Sequence, residues 1–234
     1  MKILRTLNTQ PAPLRDGICS ILRYRALRKP LAELRGHRVV SVSDTVHAGP
    51  DELSGYDATW FYTHLSPCLF MGVTKRGDDG SIIRAAAGHF SAQVGMWELC
   101  NFLSPFENPK GMSVFFAGFG SRSSLESLNK SSLLVAMALQ DFGLRYRLVF
   151  EEPDKPVLSA GPGWLAFSDL GRDLLGPDPA VHAGRHVAFG VNGSSSLLLS
   201  ARFSGKDASD WVEAHVISEE TGAVKIDPED YADQ

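Results

Sequence analysis

Two residues in this chain have the types and the spacing for nucleophilic chemistry, Cys68 and His89. Cys68 opens an apolar run, Leu69 to Val73. A Gly/Asp turn follows at Lys75 to Gly80, and a second run from Ser81 to Ala87 ends at Gly88-His89. Two short apolar runs around such a turn read as a β-hairpin. A turn centred between Asp78 and Asp79 places Cys68 directly opposite His89 on one face, with Phe70 opposite Ala87 and Gly72 opposite Ala85. Opposed Cβ atoms lie roughly 4.5–5.5 Å apart, within range for a thiol and an imidazole to share a proton. The small residues beside them leave room for a substrate. A slip of one residue would move one partner to the other face, so the arrangement stands or falls with register.

The chemistry needs both residue types. A free thiol has a pKa near 8.5 and is mostly protonated at neutral pH, so it needs a base to become a thiolate. An imidazole accepts that proton, the thiolate attacks a carbonyl carbon, and the imidazolium then protonates a leaving amine. The same residues also fit a structural role, with Cys68 as a small buried hydrophobe and His89 as a hydrogen-bonded strand end.

The segment D-A-T-W-F-Y-T-H-L-S-P-C, Asp57 to Cys68, resembles the Leu-Ser-Gly-Cys region of bacterial glutamine deamidase toxins, the Burkholderia lethal factor and the cytotoxic necrotizing factors. The hairpin ending in Gly-His is similar to that of the chemotaxis receptor deamidase CheD. The resemblance covers roughly residues 55–91. It implies a nucleophile at Cys68 and a base at His89, and conversion of a target protein's exposed glutamine to glutamate with release of ammonia. It implies no cofactor and no metal. Leu65 and Ser66 match the motif as they stand. Pro67 replaces its glycine, which removes an N–H and fixes φ. Tyr62 stands where the lethal factor has a threonine, and Thr63 is one place off. Thr63, Ser66 or a backbone carbonyl is expected to orient the imidazole. The toxin resemblance implies an effector exported without a Sec signal, and the CheD resemblance a bacterial cytoplasmic protein. Two other readings stay open: a non-catalytic binding domain with a structural Cys68, and a different cysteine hydrolase or acyl transferase.

The elements that must hold these residues are read from pattern. The 234 residues are 44% hydrophobic and 21% charged, enough to fill the core of a single domain over 1–234. Residues 1–14, with Pro11 and Pro13, read as an arm, and 229–234 as a flexible tail. No run has the length of a membrane helix. The N-terminus has neither the apolar core nor the cleavage site of a secretory signal. Cys19, Cys68 and Cys100 are too few and too widely spaced for a metal motif or a disulfide framework. Basic residues crowd the first forty positions and acidic ones the last thirty, a pattern read as solvated or mutually paired charge. No nucleic-acid module is present.

Asp16 is expected to cap a helix through Ile18, Ile21, Leu22 and Leu27, restarted after Pro30 with Leu31 and Leu34 on the same face. Arg38 to Ser43 reads as a strand, His47 to Gly55 as a loop, and Asp57 to Thr63 as a strand that delivers the chain to Cys68. Gln93 to Leu103 reads as a short helix with Val94, Trp97 and Cys100 inward. Ser113 to Phe119, a helix capped by Ser123 and Glu126 and stopped at Gly143, and the alternating Leu144 to Phe150 form a strand–helix–strand unit. Its Gly118-Phe119-Gly120 turn lacks the third glycine and the lysine of nucleotide loops. His182 and His186 read as loop histidines. His186 to Val191 and Ser196 to Phe203 read as a hairpin turned by Asn192-Gly193, and Ala208 to Val216 as a helix. The fold expected is α/β (α+β), a mixed, largely antiparallel β-sandwich-like core flanked by helices.

Overall fold

A computed structural model describes residues 8–23, 28–65, 68–91, 93–118, 137–138, 141–143, 157–158, 167–168, 184–203, 211–218 and 222–226. In chain order the elements are α1 (Ala12–Arg23), α2 (Arg28–Glu33), β1 (His37–Ser41), β2 (Thr45–Ala48), α3 (Pro50–Ser54), β3 (Ala58–Leu65), β4 (Cys68–Arg76), β5 (Ile82–Ser91) and α4 (Met96–Leu103). There follow β6 (Met112–Gly118), β7 (Val157–Leu158), β8 (Phe167–Ser168), β9 (Gly184–Asn192), β10 (Ser195–Phe203), β11 (Trp211–Ser218) and β12 (Gly222–Ile226). One sheet has the strand order β1-β3-β9-β10-β11-β12, the second β2-β5-β4-β6, and β7 pairs with β8 separately. Every pairing is antiparallel except β1 with β3. The fold is α+β, with two mostly antiparallel sheets and few helices.

The strand patterns explain the layering. Along β3, Phe61 and Leu65 join Phe70, Ala85, Ala87, Phe115, Val187, Phe189 and Leu198 in a core between the two sheets. The alternate residue Trp60 packs with Leu14, Ile18 and Leu31 of α1 and α2 on the outer side. Along β4, Leu69, Met71 and Val73 turn the other way and meet Leu99, Phe102 and Leu103 of α4. Period-two alternation thus feeds three cores, because both faces of both sheets are covered.

The centre of the sandwich is aromatic. Phe189 has no exposed surface, and its ring lies 6.0 Å from Phe61, 6.3 Å from Phe70 and 5.3 Å from Phe115. It lies over Gly72, where an added Cβ would stand 2.8 Å from the ring. Of the small residues expected to leave room for a substrate, Gly72 instead lies under Phe189, and Ala85 and Ala87 are fully buried in the same core.

Several local expectations are corrected. Helix α1 begins at Ala12 rather than at Asp16, with Leu14 fully buried, so the chain from Ala12 is docked structure rather than arm. Pro11 and Pro13 suit the first turn, whose N–H groups have no helical partner. The loop expected at 47–55 contains the end of β2 and α3, because β2 pairs with β5 from Thr45↔Gly88 to Ala48↔Ala85. Of the helix expected at 208–216, the described residues 211–216 belong to β11, drawn into the sheet by a ladder with β10 that includes Val216↔Leu199 and Ala214↔Ala201. Tertiary pairing overrides local helical spacing there. The hairpin of β9 and β10 pairs Asn192 with Ser195, so its turn is Gly193-Ser194, one residue later than expected. Most of the helix capped near Ser123 and the strand Leu144 to Phe150 lie outside the described residues, as do 1–7 and 229–234; of that helix Met137, Ala138 and Asp141 are described and helical, with Ala138 buried. Gly143 has φ +86°, the left-handed conformation expected of a helix stop.

Trp97 was expected on the inner face of α4 and is 75% exposed, while Leu99, Phe102 and Leu103 are buried. Cys100 is partly buried against the same core, as expected. Trp97→Gln is accordingly expected to change unfolding free energy by no more than about 0.5 kcal/mol in urea titration, as for other surface substitutions. A loss of several kcal/mol would show that Trp97 is part of a packed surface.

Candidate functional site

The hairpin β4–β5 does not have the register first expected. Cys68 pairs with Ser91 and Phe70 with His89, a displacement of two residues. The turn is closed by Gly77 N–H to Ser81 O (2.8 Å) and Gly80 N–H to Gly77 O (3.1 Å). Next to it Arg76 pairs with Ile82, but Lys75 pairs with Arg84, so Ile83 is an extra residue in β5. This bulge decides the face of the site. Without it the register set by the turn would place Cys68 opposite Phe90, with its side chain on the face opposite that of His89. With it, Cys68 and His89 are diagonal neighbours on one face. Diagonal positions lie roughly 7–8 Å apart, still within reach of a ring side chain.

That face looks into the sandwich, where two changes of sheet converge on His89. β3 ends at Leu65 in the first sheet and β4 begins at Cys68 in the second, so the chain crosses within two residues. The second crossing is Val42 to Asp44, between β1 and β2. Val42 N–H donates to Tyr62 O (2.8 Å), and His89 N–H donates to Asp44 O (2.7 Å). The His89 ring closes the gap: its Nδ1 lies 2.6 Å from Thr63 Oγ1 on β3. Thr63 is 4% exposed and faces inward because it alternates with Tyr62 and His64.

Burial pushes the His89 pKa below its ordinary 6.5. A hydrogen bond with the Val42 backbone opposes this, and positive charge on His64 adds to it. A neutral, oriented imidazole results near pH 7, the form that accepts a proton. Cys68 is partly buried and packs against the inter-sheet core.

Of the residues singled out in the sequence, His89 and Thr63 are joined by a hydrogen bond, and Cys68 lies on the same face as His89, at the diagonal ladder position. Ser66 and Pro67 lie outside the described residues. The main-chain groups of Val42 and Asp44 were missed as individuals, since nothing in their side chains marks them. The pairing of β3 with β9 was also not legible. His186, read as a loop residue, lies on β9 directly opposite His64, with Tyr62 Oη 2.7 Å from its Nδ1. His182 lies outside the described residues. Among the described residues no group of three or more His, Cys, Asp and Glu could hold a metal ion. No described helix is long and apolar enough to cross a membrane. An open depression of about 310 Å³ lies elsewhere, lined by Cys100, Ser104, Glu107, Ala138, Asp141 and Phe142.

His186 supplies a pH prediction. Burial, with a smaller contribution from His64, pushes its pKa down to about 4 from 6.5. The unfolded chain therefore takes up this proton first as pH falls, and stability is lost between about 6.5 and about 4. The full gap corresponds to roughly 3 kcal/mol. His37, His47 and His89, also lowered by burial, act in the same direction. In urea titrations the wild type is expected to lose more stability between pH 7 and pH 4.5 than His186→Gln. Equal losses would contradict the assignment.

The chain matches no protein-family model and no curated protein.

Proposed function

We propose that the protein is a cysteine-dependent amidohydrolase, most concretely a protein glutamine deamidase. The observation that carries the reading is the Thr63–His89 hydrogen bond across the sheets, on the face that also bears Cys68. It gives the imidazole the orienting partner that a general base requires, on the face of the sheet that carries the thiol.

In the proposed reaction His89 takes the Cys68 proton, and the sulfur attacks the carboxamide carbon of a glutamine side chain. The tetrahedral intermediate collapses with cleavage of the C–N bond, the imidazolium protonates the leaving nitrogen, and ammonia departs from a thioester. Water, deprotonated by His89, adds to the thioester carbon. The C–S bond breaks, giving glutamate and the restored thiol. Main-chain N–H groups near Cys68 would stabilise the oxyanion, and Pro67 has none to give. The substrate is a protein bearing an exposed glutamine, and no cofactor takes part. The bacterial cytoplasm, or a host cell reached by a non-Sec route, is the setting this reading implies.

The test is product analysis. Protein mixtures treated with wild type should yield peptides with glutamine converted to glutamate, together with free ammonia, and Cys68→Ser should yield neither. Cleaved peptide bonds or incorporated amines would instead identify a protease or an acyl transferase. No Cys68-dependent product of any kind would favour the binding-domain reading.

A further inference from the structure

The outer side of the six-stranded sheet carries a hydrogen bond that the Cys68 reading does not use and whose direction is fixed. Trp60 on β3 has no exposed surface, and its indole N–H donates to Nδ1 of His37 on β1 at 2.9 Å. An indole nitrogen can only donate, so Nδ1 carries its lone pair and His37 is the neutral Nε2–H tautomer. The two rings are near-coplanar, 19° apart with centroids at 6.3 Å, as a bond along the in-plane lone pair requires. Among the described residues the indole N–H has no second acceptor. We infer that this pair is an acid-sensitive latch for α1: protonation of His37 removes the acceptor of the Trp60 N–H and loosens the helix from the sheet.

The Trp60 ring is what α1 docks on. It packs with Leu14 and Ile18 of that helix, both fully buried. It also fills a slot between two glycines: a Cβ at Gly17 of α1 would stand 2.4 Å from the ring, and one at Gly190 of β9 2.7 Å. A ring held that closely on both sides passes any tilt on to the helix. An imidazolium carries N–H on both nitrogens. Protonated His37 therefore turns a donor toward the indole donor, and a buried N–H loses its bond, which is costly in a dry site. Burial holds the His37 pKa below its ordinary 6.5, against the attraction of the Asp57 and Asp16 carboxylates. Asp57 stands at the entry to β3, its N–H donating to Gly36 O (2.8 Å), and Asp16 lies on α1, 3.7 Å from Arg15. From the turn after α2 the neighbour is main chain, Leu34 O, which accepts the His37 N–H (3.1 Å). Loss of the indole bond and attraction to these carboxylates both draw the imidazolium away from Trp60. The loosened state takes up the proton first, so docking of α1 weakens as pH falls below about 6.5.

Hydrogen–deuterium exchange of the full chain, read by mass spectrometry at about pH 7.5 and about pH 5 and corrected for the intrinsic pH dependence of exchange, tests the inference. In wild type, acidification should lower the protection of α1 by at least about fivefold relative to β4 and β5, the effect of one hydrogen bond on a local opening. His37→Asn places a carbonyl oxygen that does not titrate near the position of Nδ1, so its α1 should keep the same relative protection at both pH values. His37→Ala has no acceptor and should show the low protection already at about pH 7.5. Equal acid-induced loss in wild type and His37→Asn, no selective loss at α1 in wild type, or full protection of α1 in His37→Ala at the higher pH would each overturn the inference.

Discussion

Replacing His89 by alanine is expected to lower the rate of glutamine deamidation by about 10²–10⁴-fold, the range for loss of a positioned general base. Cys68→Ser is expected to abolish it, because the hydroxyl is a far poorer nucleophile without a site built to activate it. The two effects should not add. Once the base is gone the thiol is not activated, and once the thiol is gone the base has nothing to deprotonate, so the double variant should resemble Cys68→Ser alone. Thr63→Val tests the second layer. It keeps the volume on β3 but removes the Oγ1 that lies 2.6 Å from Nδ1. The base remains but its ring is no longer oriented, so the loss should be smaller than for His89→Ala and should fall on kcat more than on KM. Rates of ammonia release with a validated protein substrate check all four variants. Equal activity in His89→Ala and wild type would remove His89 from the mechanism.

Phe189→Ala is expected to destabilise the fold by about 3–5 kcal/mol, the usual cost of emptying a buried aromatic site. Domains of this kind are stable by only about 5–15 kcal/mol, so this is a large fraction of the whole. The ring is the meeting point of the two sheets, against Phe61 of β3, Phe70 of β4 and Phe115 of β6. Its neighbours belong to strands that cannot collapse onto the vacancy without breaking their ladders, so the cavity should persist. Gly72→Val approaches the same contact from the other side, since even a Cβ there would stand 2.8 Å from the ring. It should destabilise by overpacking, in the range of about 1–3 kcal/mol. Urea or thermal unfolding measures both. If Phe189→Ala cost less than about 1 kcal/mol, the description of the inter-sheet core would be wrong.

The same ring shows where the sequence stopped being informative. Gly72, Ala85 and Ala87 are visible as small residues near Cys68, and an open space is a natural reading of them. What fills that space comes from β9, more than a hundred residues later, and no local pattern announces that pairing. The β4–β5 hairpin was legible because its two apolar runs and Gly/Asp turn are local. Its register was not, because the extra residue at Ile83 is an ordinary β-branched residue that carries no bulge signal of its own. Cys68 and His89 kept a common face because the displacement was an even number of residues. Thr63 was identifiable as a possible partner of the imidazole, and the alternation of β3 turns it inward. The strand β11 was misread because Ala208 to Val216 has helical spacing locally, while its conformation is set by the edge of β10. Trp97 was misassigned for a related reason: the buried stripe of α4 runs through Leu99, Phe102 and Leu103.

The rate of alkylation of Cys68 by iodoacetamide at pH 7, mapped by mass spectrometry, tests the central claim most directly, since it needs no knowledge of the target. If His89 activates the thiol, wild type should label at least about tenfold faster than His89→Ala, with Thr63→Val in between. Cys19 and Cys100 serve as internal references whose rates should not change. Equal labelling of Cys68 in all three proteins would contradict the account and leave Cys68 as a packing residue of the inter-sheet core.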